Sequence, residues 1–87
     1  MTSAAAAPAQ TGRILMYGTT WCSDCNLAKR VFAEQRTEYD FIDIDEVPDA
    51  ADEVLKVNQG RCSIPTIIFP DGSVLVEPSR RELMAKI

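Results

Sequence analysis

The residues best suited to chemistry in this 87-residue chain are two cysteines, Cys22 and Cys25, separated by only two other residues. Cysteines at this spacing either exchange disulfides or bind a soft metal ion. Zinc normally takes a tetrahedral set of Cys or His ligands, yet the chain has no histidine and its remaining cysteine is Cys62. The pattern therefore favours redox chemistry, and a soft-metal carrier or an iron–sulfur scaffold is the alternative.

The elements around this pair decide which cysteine reacts. An apolar run ends shortly before Trp21 and a helical pattern begins at Ser23, so Cys22 is predicted at a strand-to-helix junction. There the free N–H groups of the first turn and the positive end of the helix dipole stabilise a thiolate. Cys25 follows about one helical turn later, where the two sulfurs can form a disulfide. We expect Cys22 to attack a substrate disulfide, Cys25 to resolve the mixed disulfide, and Trp21 to form an apolar wall beside them.

The composition narrows the class of protein further. Thirteen acidic against nine basic residues give a net charge of −4, which argues against a nucleic acid or an anionic membrane as a partner. No run of about 18 apolar residues occurs, so no membrane-spanning helix is expected. The absence of histidine excludes a Cys-His or Ser-His catalytic pair. Three cysteines are an odd number for a disulfide framework, so the Cys-x-x-Cys pair suits redox chemistry or metal binding better than a structural disulfide. We expect a cytoplasmic, monomeric protein.

Patterns of apolar residues and turn residues predict elements in the order β-α-β-α-β-β-α. The predicted strands are 13–17, 38–44, 66–69 and 74–76, and the predicted helices are 23–36, 48–59 and 79–87. Gly60 is expected to end the second helix as a left-handed cap. Ser79 and Glu82 are expected to form a capping box at the start of the last helix. The residues predicted on the buried face of that helix are Leu83, Met84 and Ile87.

This order of elements determines the class of fold. A β-α-β crossover makes the first two strands parallel, whereas a hairpin turning at Asp71-Gly72 makes the last two antiparallel. The prediction is an α/β fold with a four-stranded mixed sheet flanked by three helices, which cover both of its faces. Residues 13–87 are expected to form this single domain, and the alanine-rich residues 1–12 are expected to be a disordered N-terminal leader.

A second feature is the proline of Ser63-Ile64-Pro65-Thr66, which opens a predicted strand. Proline suits the first residue of a strand because it has no N–H to donate. If the Ile64–Pro65 bond is cis, the backbone of the preceding residue faces outward and can pair with an extended substrate. An ordinary trans proline at a strand edge is the alternative. We expect Ser63, Ile64 and Pro65 to contact the substrate.

Together these motifs resemble the glutaredoxin branch of the thioredoxin superfamily over residues 13–87, and within it the mycoredoxins most. The segments that carry the resemblance are 16–25, 57–60, 64–66, 69–73 and 77–79. The resemblance implies a thioredoxin/glutaredoxin-like fold and a cis-Pro65 beside the cysteines. It also implies a low-molecular-weight thiol as reductant, no bound cofactor, and a Cys22 that by itself removes such a thiol from modified proteins.

The chain departs from the glutaredoxin pattern at two places. Glutaredoxins that use glutathione usually carry a lysine where this chain has Thr19, and a Gly-Gly pair where it has Glu77-Pro78. Both departures favour mycothiol, or a related thiol such as bacillithiol, over glutathione. The expected protein partners are thiol-modified or disulfide-containing proteins. A neighbouring alternative is a glutaredoxin-like electron donor that thioredoxin reductase recharges.

Several other residues allow both a functional and a structural role. Ser79 and Arg80 begin the last helix, whose N-terminus could bind a carboxylate or sugar hydroxyl of the thiol, although capping alone explains Ser79. Asp24 is expected to complement the helix dipole, with tuning of the redox chemistry as the alternative. Cys62 is expected to be a half-buried spectator thiol, and Arg61 either binds a carboxylate of the thiol or is simply solvated.

Overall fold

The computed structural model describes residues 13–87, and the leader predicted for residues 1–12 lies outside them. The elements follow the predicted order. They are β1 (Ile14–Gly18), α1 (Ser23–Glu34), β2 (Tyr39–Asp43), α2 (Pro48–Val57), β3 (Thr66–Ile68), β4 (Val74–Val76) and α3 (Arg80–Lys86). α1 ends about two residues earlier than predicted because Arg36 takes a left-handed conformation, with φ of 52°, that a helix cannot continue.

The four strands form one mixed sheet in the order β2-β1-β3-β4. β1 pairs with β2 in parallel, and with β3 in the antiparallel direction, while β3 and β4 form an antiparallel hairpin. This arrangement confirms the predicted four-stranded mixed sheet. Gly18 lies opposite Asp43, and Tyr17 lies opposite Thr66, so the carboxyl end of β1 meets the start of β3 at one edge of the sheet.

Both faces of the sheet are covered because alternate side chains of β1 point in opposite directions. One face packs against α1 and α3 through a cluster that includes Met16, Phe32 and Leu83, all at most 1% exposed. The other face packs against α2 through Leu15, Tyr17, Ala50 and Val54. Within residues 13–87, no helix is long and apolar enough to cross a membrane.

The prediction that α3 buries Met84 and Ile87 is wrong. Leu83 is 1% exposed, but Met84 and Ile87 are 38% and 39% exposed. α3 has only seven residues, about two turns, so a single row of its side chains faces the sheet. Met84 lies about 100° around the helix from Leu83, and Ile87 follows the last helical residue.

The helix ends agree with their predicted chemistry, with one difference. Ser79 and Glu82 form the predicted capping box, with the Glu82 N–H donating to Ser79 Oγ at 3.1 Å and the Ser79 N–H donating to Glu82 Oε1 at 2.8 Å. At the end of α2, the left-handed residue directly after the C-cap is Gln59, with φ of 56°, and not Gly60. Gly60 follows with φ of 95° and donates its N–H to the Leu55 carbonyl at 2.7 Å, which completes a Schellman motif.

Candidate active site

Cys22 is the N-cap residue of α1. Its backbone is extended, with φ of −84° and ψ of 123°, and its carbonyl accepts the first helical hydrogen bond from the Asn26 N–H at 3.0 Å. Its side chain makes no capping hydrogen bond, and the residue is only half-buried, so part of it remains accessible to solvent. The structure therefore confirms the predicted position of Cys22 at the start of a helix.

Cys25 lies one turn further along α1 in a different environment. Its side chain is fully buried, and this burial raises the pKa of Cys25 from 9.0 to about 12. The Thr19 N–H, which donates to the sulfur, and the positive charge of Lys29 both oppose this rise in pKa. The side chains of Cys22 and Cys25 are within hydrogen-bonding reach of one another, and both thiols are free. The site thus pairs one accessible sulfur with one buried, neutral thiol.

Gly18, the last residue of β1, gives the buried sulfur its space. A Cβ atom on Gly18 would lie only 2.5 Å from Cys25 Sγ, closer than side-chain carbons approach other atoms. A side chain here would therefore collide with the redox pair. Gly18 belongs to segment 16–25, which carries the family resemblance, but no local pattern in the sequence could have revealed its contact with Cys25.

The Ile64–Pro65 peptide bond is cis, as the resemblance implies. Since Tyr17 lies opposite Thr66, the strand register puts Pro65 next to Gly18, at the edge of the sheet where α1 begins. The Pro65 carbonyl accepts a hydrogen bond from the Glu77 N–H at 2.9 Å. Within residues 13–87, neither the amide nor the carbonyl of Ile64 has a hydrogen-bond partner. These groups can pair with an extended ligand.

A buried polar network holds the loop that leads to the cis-proline. The Thr66 hydroxyl, on a side chain with no exposed surface, donates to the Ser63 carbonyl at 2.6 Å and accepts from Asn58 Nδ2 at 2.9 Å. Asn58 thereby connects the end of α2 to this loop. Asn58 lies in segment 57–60, which carries the family resemblance, but its role in this network was not predicted from the sequence. A cleft of about 510 Å³ beside the loop is lined by Asn58, Gln59, Arg61, Ser63 and Val76.

Trp21 precedes the accessible cysteine and lies on the surface, where its side chain is 71% exposed. The indole Nε1–H donates a hydrogen bond to the Asp45 carboxylate at 2.8 Å. Asp45 follows the end of β2 and was absent from the predicted site. It is 24 residues distant in sequence, so only the tertiary fold reveals the pair.

The start of α3 is engaged within the protein. The Ser79 hydroxyl caps α3, and the Arg80 guanidinium forms an ion pair with Glu34. Glu34 is the last residue of α1, at the opposite end of that helix from Cys22. The guanidinium of Arg80 is therefore held away from the cysteines by its ion pair with Glu34. This corrects the prediction that Arg80 is one of the site residues.

The remaining candidates also take definite positions. Cys62 is exposed rather than half-buried, because it lies in the irregular loop between α2 and β3, and Arg61 beside it is exposed as well. Thr19 is 1% exposed, and its hydroxyl has no hydrogen-bond partner among residues 13–87. Glu77 adopts a left-handed backbone, with φ of 49°, that glycine accepts more readily. Asp24 is exposed in the first turn of α1, where an acid complements the helix dipole.

Metal-ligating side chains do not converge in this part of the chain. Among residues 13–87 there is no group of three or more His, Cys, Asp or Glu side chains arranged to hold a metal ion. The Cys22–Cys25 pair has a geometry suited to disulfide exchange: a half-buried Cys22, a second sulfur within its reach, and, within residues 13–87, an Ile64 backbone without hydrogen-bond partners at the same end of the sheet.

Comparison with known proteins relates this chain to the glutaredoxins. The glutaredoxin family model matches residues 14–75. A protein of Mycobacterium tuberculosis, strain H37Rv, named as a glutaredoxin, is 39% identical over 77 residues, which cover 88% of this chain and 92% of the relative. Mycoredoxin 1 of Corynebacterium glutamicum is 35% identical over 74 residues, which cover 85% of this chain and 91% of the relative.

Solved structures give the same fold. The glutaredoxin from Methanosarcina mazei Go1 superposes with a TM-score of 0.72 at 26% identity, covering 86% of this chain and 77% of that one. A thioredoxin-like protein superposes with a TM-score of 0.75, covering 86% of this chain and all of its own, at 21% identity. The second likeness supports the fold alone.

Proposed function

Since the chain belongs to the glutaredoxin family, whose members are thiol oxidoreductases, we propose that it reduces mixed disulfides between proteins and a low-molecular-weight thiol. The observation that carries this proposal is the contrast between the two cysteines: Cys22 is accessible at a helix N-terminus, and the buried Cys25 lies within reach of it. Disulfide exchange requires an accessible thiolate and, for reduction of protein disulfides, a second thiol that resolves the intermediate.

The proposed reaction proceeds by two exchanges. The Cys22 thiolate attacks the small-thiol sulfur of the mixed disulfide, a bond forms between these sulfurs, and the protein leaves as a thiolate that takes up a proton. A second molecule of the small thiol then attacks the small-thiol sulfur bonded to Cys22, so the two small thiols leave as their disulfide and Cys22 is reduced again. With a protein disulfide as substrate, Cys22 first bonds to one protein sulfur and the other protein sulfur leaves as a thiolate. Cys25 then attacks Cys22 Sγ, the second protein sulfur leaves as a thiolate, and a Cys22–Cys25 disulfide forms, which two molecules of the small thiol reduce while they are oxidised to their own disulfide.

The proposed binding groups lie along the edge formed by Ile64 and cis-Pro65. The amide and carbonyl of Ile64, which have no hydrogen-bond partner within residues 13–87, would pair with amide groups next to the sulfur of the small thiol, as backbone groups pair with an added strand. Ser63 and Arg61, which line the adjacent cleft, would contact its further groups, and Trp21 would form the opposite wall. Ser79 would contribute through the N-terminus of α3, whereas Arg80 is not part of this proposed site, because its guanidinium is paired with Glu34.

Mycothiol, or a related thiol, is the reductant we favour. Glutathione carries two carboxylates that call for positive charge, yet the lysine usual in glutathione-using glutaredoxins is replaced by the uncharged, buried Thr19. Glu77 replaces a glycine and adds a negative charge near the cis-proline, since its N–H bonds to Pro65. The similarity to Mycoredoxin 1 supports the same choice. We place this activity in the cytoplasm, in a monomeric protein, with thiol-modified proteins as its substrates.

The test uses one model protein carrying mycothiol, bacillithiol or glutathione in turn, each with the matching thiol as reductant. Cys22→Ser should abolish release of the thiol, because it removes the nucleophile. Cys25→Ser is the matched control: it should retain reduction of the mixed disulfide and lose reduction of protein disulfides, because only the second reaction needs the resolving thiol. Activity that survives Cys22→Ser would refute the proposal, as would stoichiometric metal in a purified protein without reductase activity.

A further inference from the structure

The indole of Trp21 is held at the surface by a single side-chain hydrogen bond. With 71% of its side chain exposed, Trp21 has little packing to fix its orientation. Its ring N–H donates to Asp45 Oδ2 at 2.8 Å, within the normal range of an N–H···O hydrogen bond. Trp21 directly precedes Cys22, so the orientation of the indole determines the shape of the surface next to the accessible sulfur.

Asp45 is itself held rigidly relative to the redox pair. Its N–H donates to Asp43 Oδ1 at 2.9 Å, which closes a tight turn after β2. The preceding residue, Ile44, donates its N–H to the carbonyl of Gly18 at 3.0 Å. Gly18 in turn lies against the sulfur of Cys25. The backbone that carries the Asp45 side chain is therefore connected, through these two hydrogen bonds, to the same strand end that lies beside the cysteines.

We propose that Asp45 is a positioning residue, which holds the indole of Trp21 as one wall of the site so that the small-thiol half of a mixed disulfide packs against it. The inference rests on the proposed function and adds a residue to its binding site. Asp45 does not contact the reacting sulfurs. It acts through Trp21, because an indole fixed before binding loses less conformational freedom when the ligand arrives.

The expected consequence is a change in substrate binding rather than in chemistry. Asp45→Ala removes the acceptor and frees the indole, so KM for the mixed disulfide should rise about fivefold, the equivalent of one typical net hydrogen bond. kcat should change by less than about twofold, because Cys22 and Cys25 keep their surroundings. Asp45→Asn retains an oxygen acceptor for the indole N–H and should behave like the unaltered protein, which separates the hydrogen bond from the charge.

The experiment measures kcat and KM with a mycothiol-modified model protein for Asp45→Ala, Asp45→Asn and the control Glu46→Ala. Glu46 is an exposed acid in the same turn, so its removal deletes the same charge without affecting the indole. Since Trp21 is the only tryptophan of the chain, its fluorescence reports directly on the indole. Asp45→Ala should lower the fluorescence anisotropy and increase quenching by acrylamide, whereas the other two variants should match the unaltered protein.

Two results would overturn the inference while leaving the proposed function intact: an active protein whose KM and fluorescence are unchanged by Asp45→Ala, or an Asp45→Asn variant as impaired as Asp45→Ala. A Trp21→Phe background gives a further check. Phenylalanine keeps a ring without the N–H, so adding Asp45→Ala to it should raise KM no further. An unaltered protein that fails to reduce any of the three mixed disulfides contradicts the proposed function itself, whatever the state of the indole.

Discussion

Gly18→Ala tests the packing that holds the buried cysteine. A Cβ atom at this position would lie 2.5 Å from Cys25 Sγ, but 3.4 Å from both Cys25 Cβ and Phe41 Cε1. Only the sulfur is therefore in serious conflict with the added methyl group. The sulfur would have to retreat by about 0.9 Å, the difference between 2.5 Å and the 3.4 Å of an ordinary contact. Cys25 is fully buried, and Gly18 is fixed between two neighbouring strands, so neither can move freely.

Two opposing contributions set the size of the effect. Overpacking of a buried site costs roughly 1–3 kcal/mol. Alanine also restricts the unfolded chain more than glycine does, which stabilises the fold by about 0.4–1 kcal/mol where the backbone conformation suits it. Gly18 meets that condition, because its φ lies outside the left-handed region. The steric cost is the larger of the two, so we expect Gly18→Ala to lower the free energy of unfolding by about 1–2 kcal/mol.

A double-mutant cycle with Cys25→Ala isolates the contact. Without the sulfur, the nearest atoms lie at 3.4 Å, so Gly18→Ala should be neutral or slightly stabilising in that background. The measurement is urea unfolding of the four reduced proteins, followed by circular dichroism. If Gly18→Ala changes stability equally in both backgrounds, within about 0.5 kcal/mol, the contact with Cys25 does not limit the residue at position 18.

Two further predictions concern stability. Burial raises the pKa of Cys25 from 9.0 to about 12, so its neutral thiol stabilises the reduced fold below pH 9, and this contribution is lost as the pH rises toward 12. The free energy of unfolding should therefore fall more steeply above pH 9 in the unaltered protein than in Cys25→Ala. If it falls equally with pH in the two proteins, the pKa of Cys25 is not raised by folding. Thr66→Val should cost about 2 kcal/mol, since it deprives the Ser63 carbonyl and Asn58 of their buried partner. Thr66→Ser keeps the hydroxyl, so its Tm in thermal unfolding should fall clearly less than that of Thr66→Val. Equal decreases in Tm would show that lost packing, not the lost hydrogen bonds, causes the destabilisation.

The tertiary structure also explains why some predicted features were placed wrongly. Met84 was expected to be buried from the helical pattern alone, but the short α3 turns only Leu83 fully toward the sheet. Arg80 was assigned to the site from its position at a helix start, although its partner, Glu34, lies 46 residues earlier in the chain. Cys62 was expected to be half-buried, yet the loop that carries it leaves it exposed. Each error concerns a contact that local sequence does not encode.

The sequence by itself determined the chemistry of the Cys22–Cys25 pair, the order of the elements and the capping box at Ser79. These features depend on interactions between residues a few positions apart, so their patterns are visible in the chain. Only the tertiary structure decided that Cys25 is buried while Cys22 is accessible, that Gly18 lies against the sulfur of Cys25, and that Asp45 holds the indole of Trp21. The physical reason is that burial and side-chain contacts across the sheet depend on how distant segments pack, which no single stretch of sequence specifies.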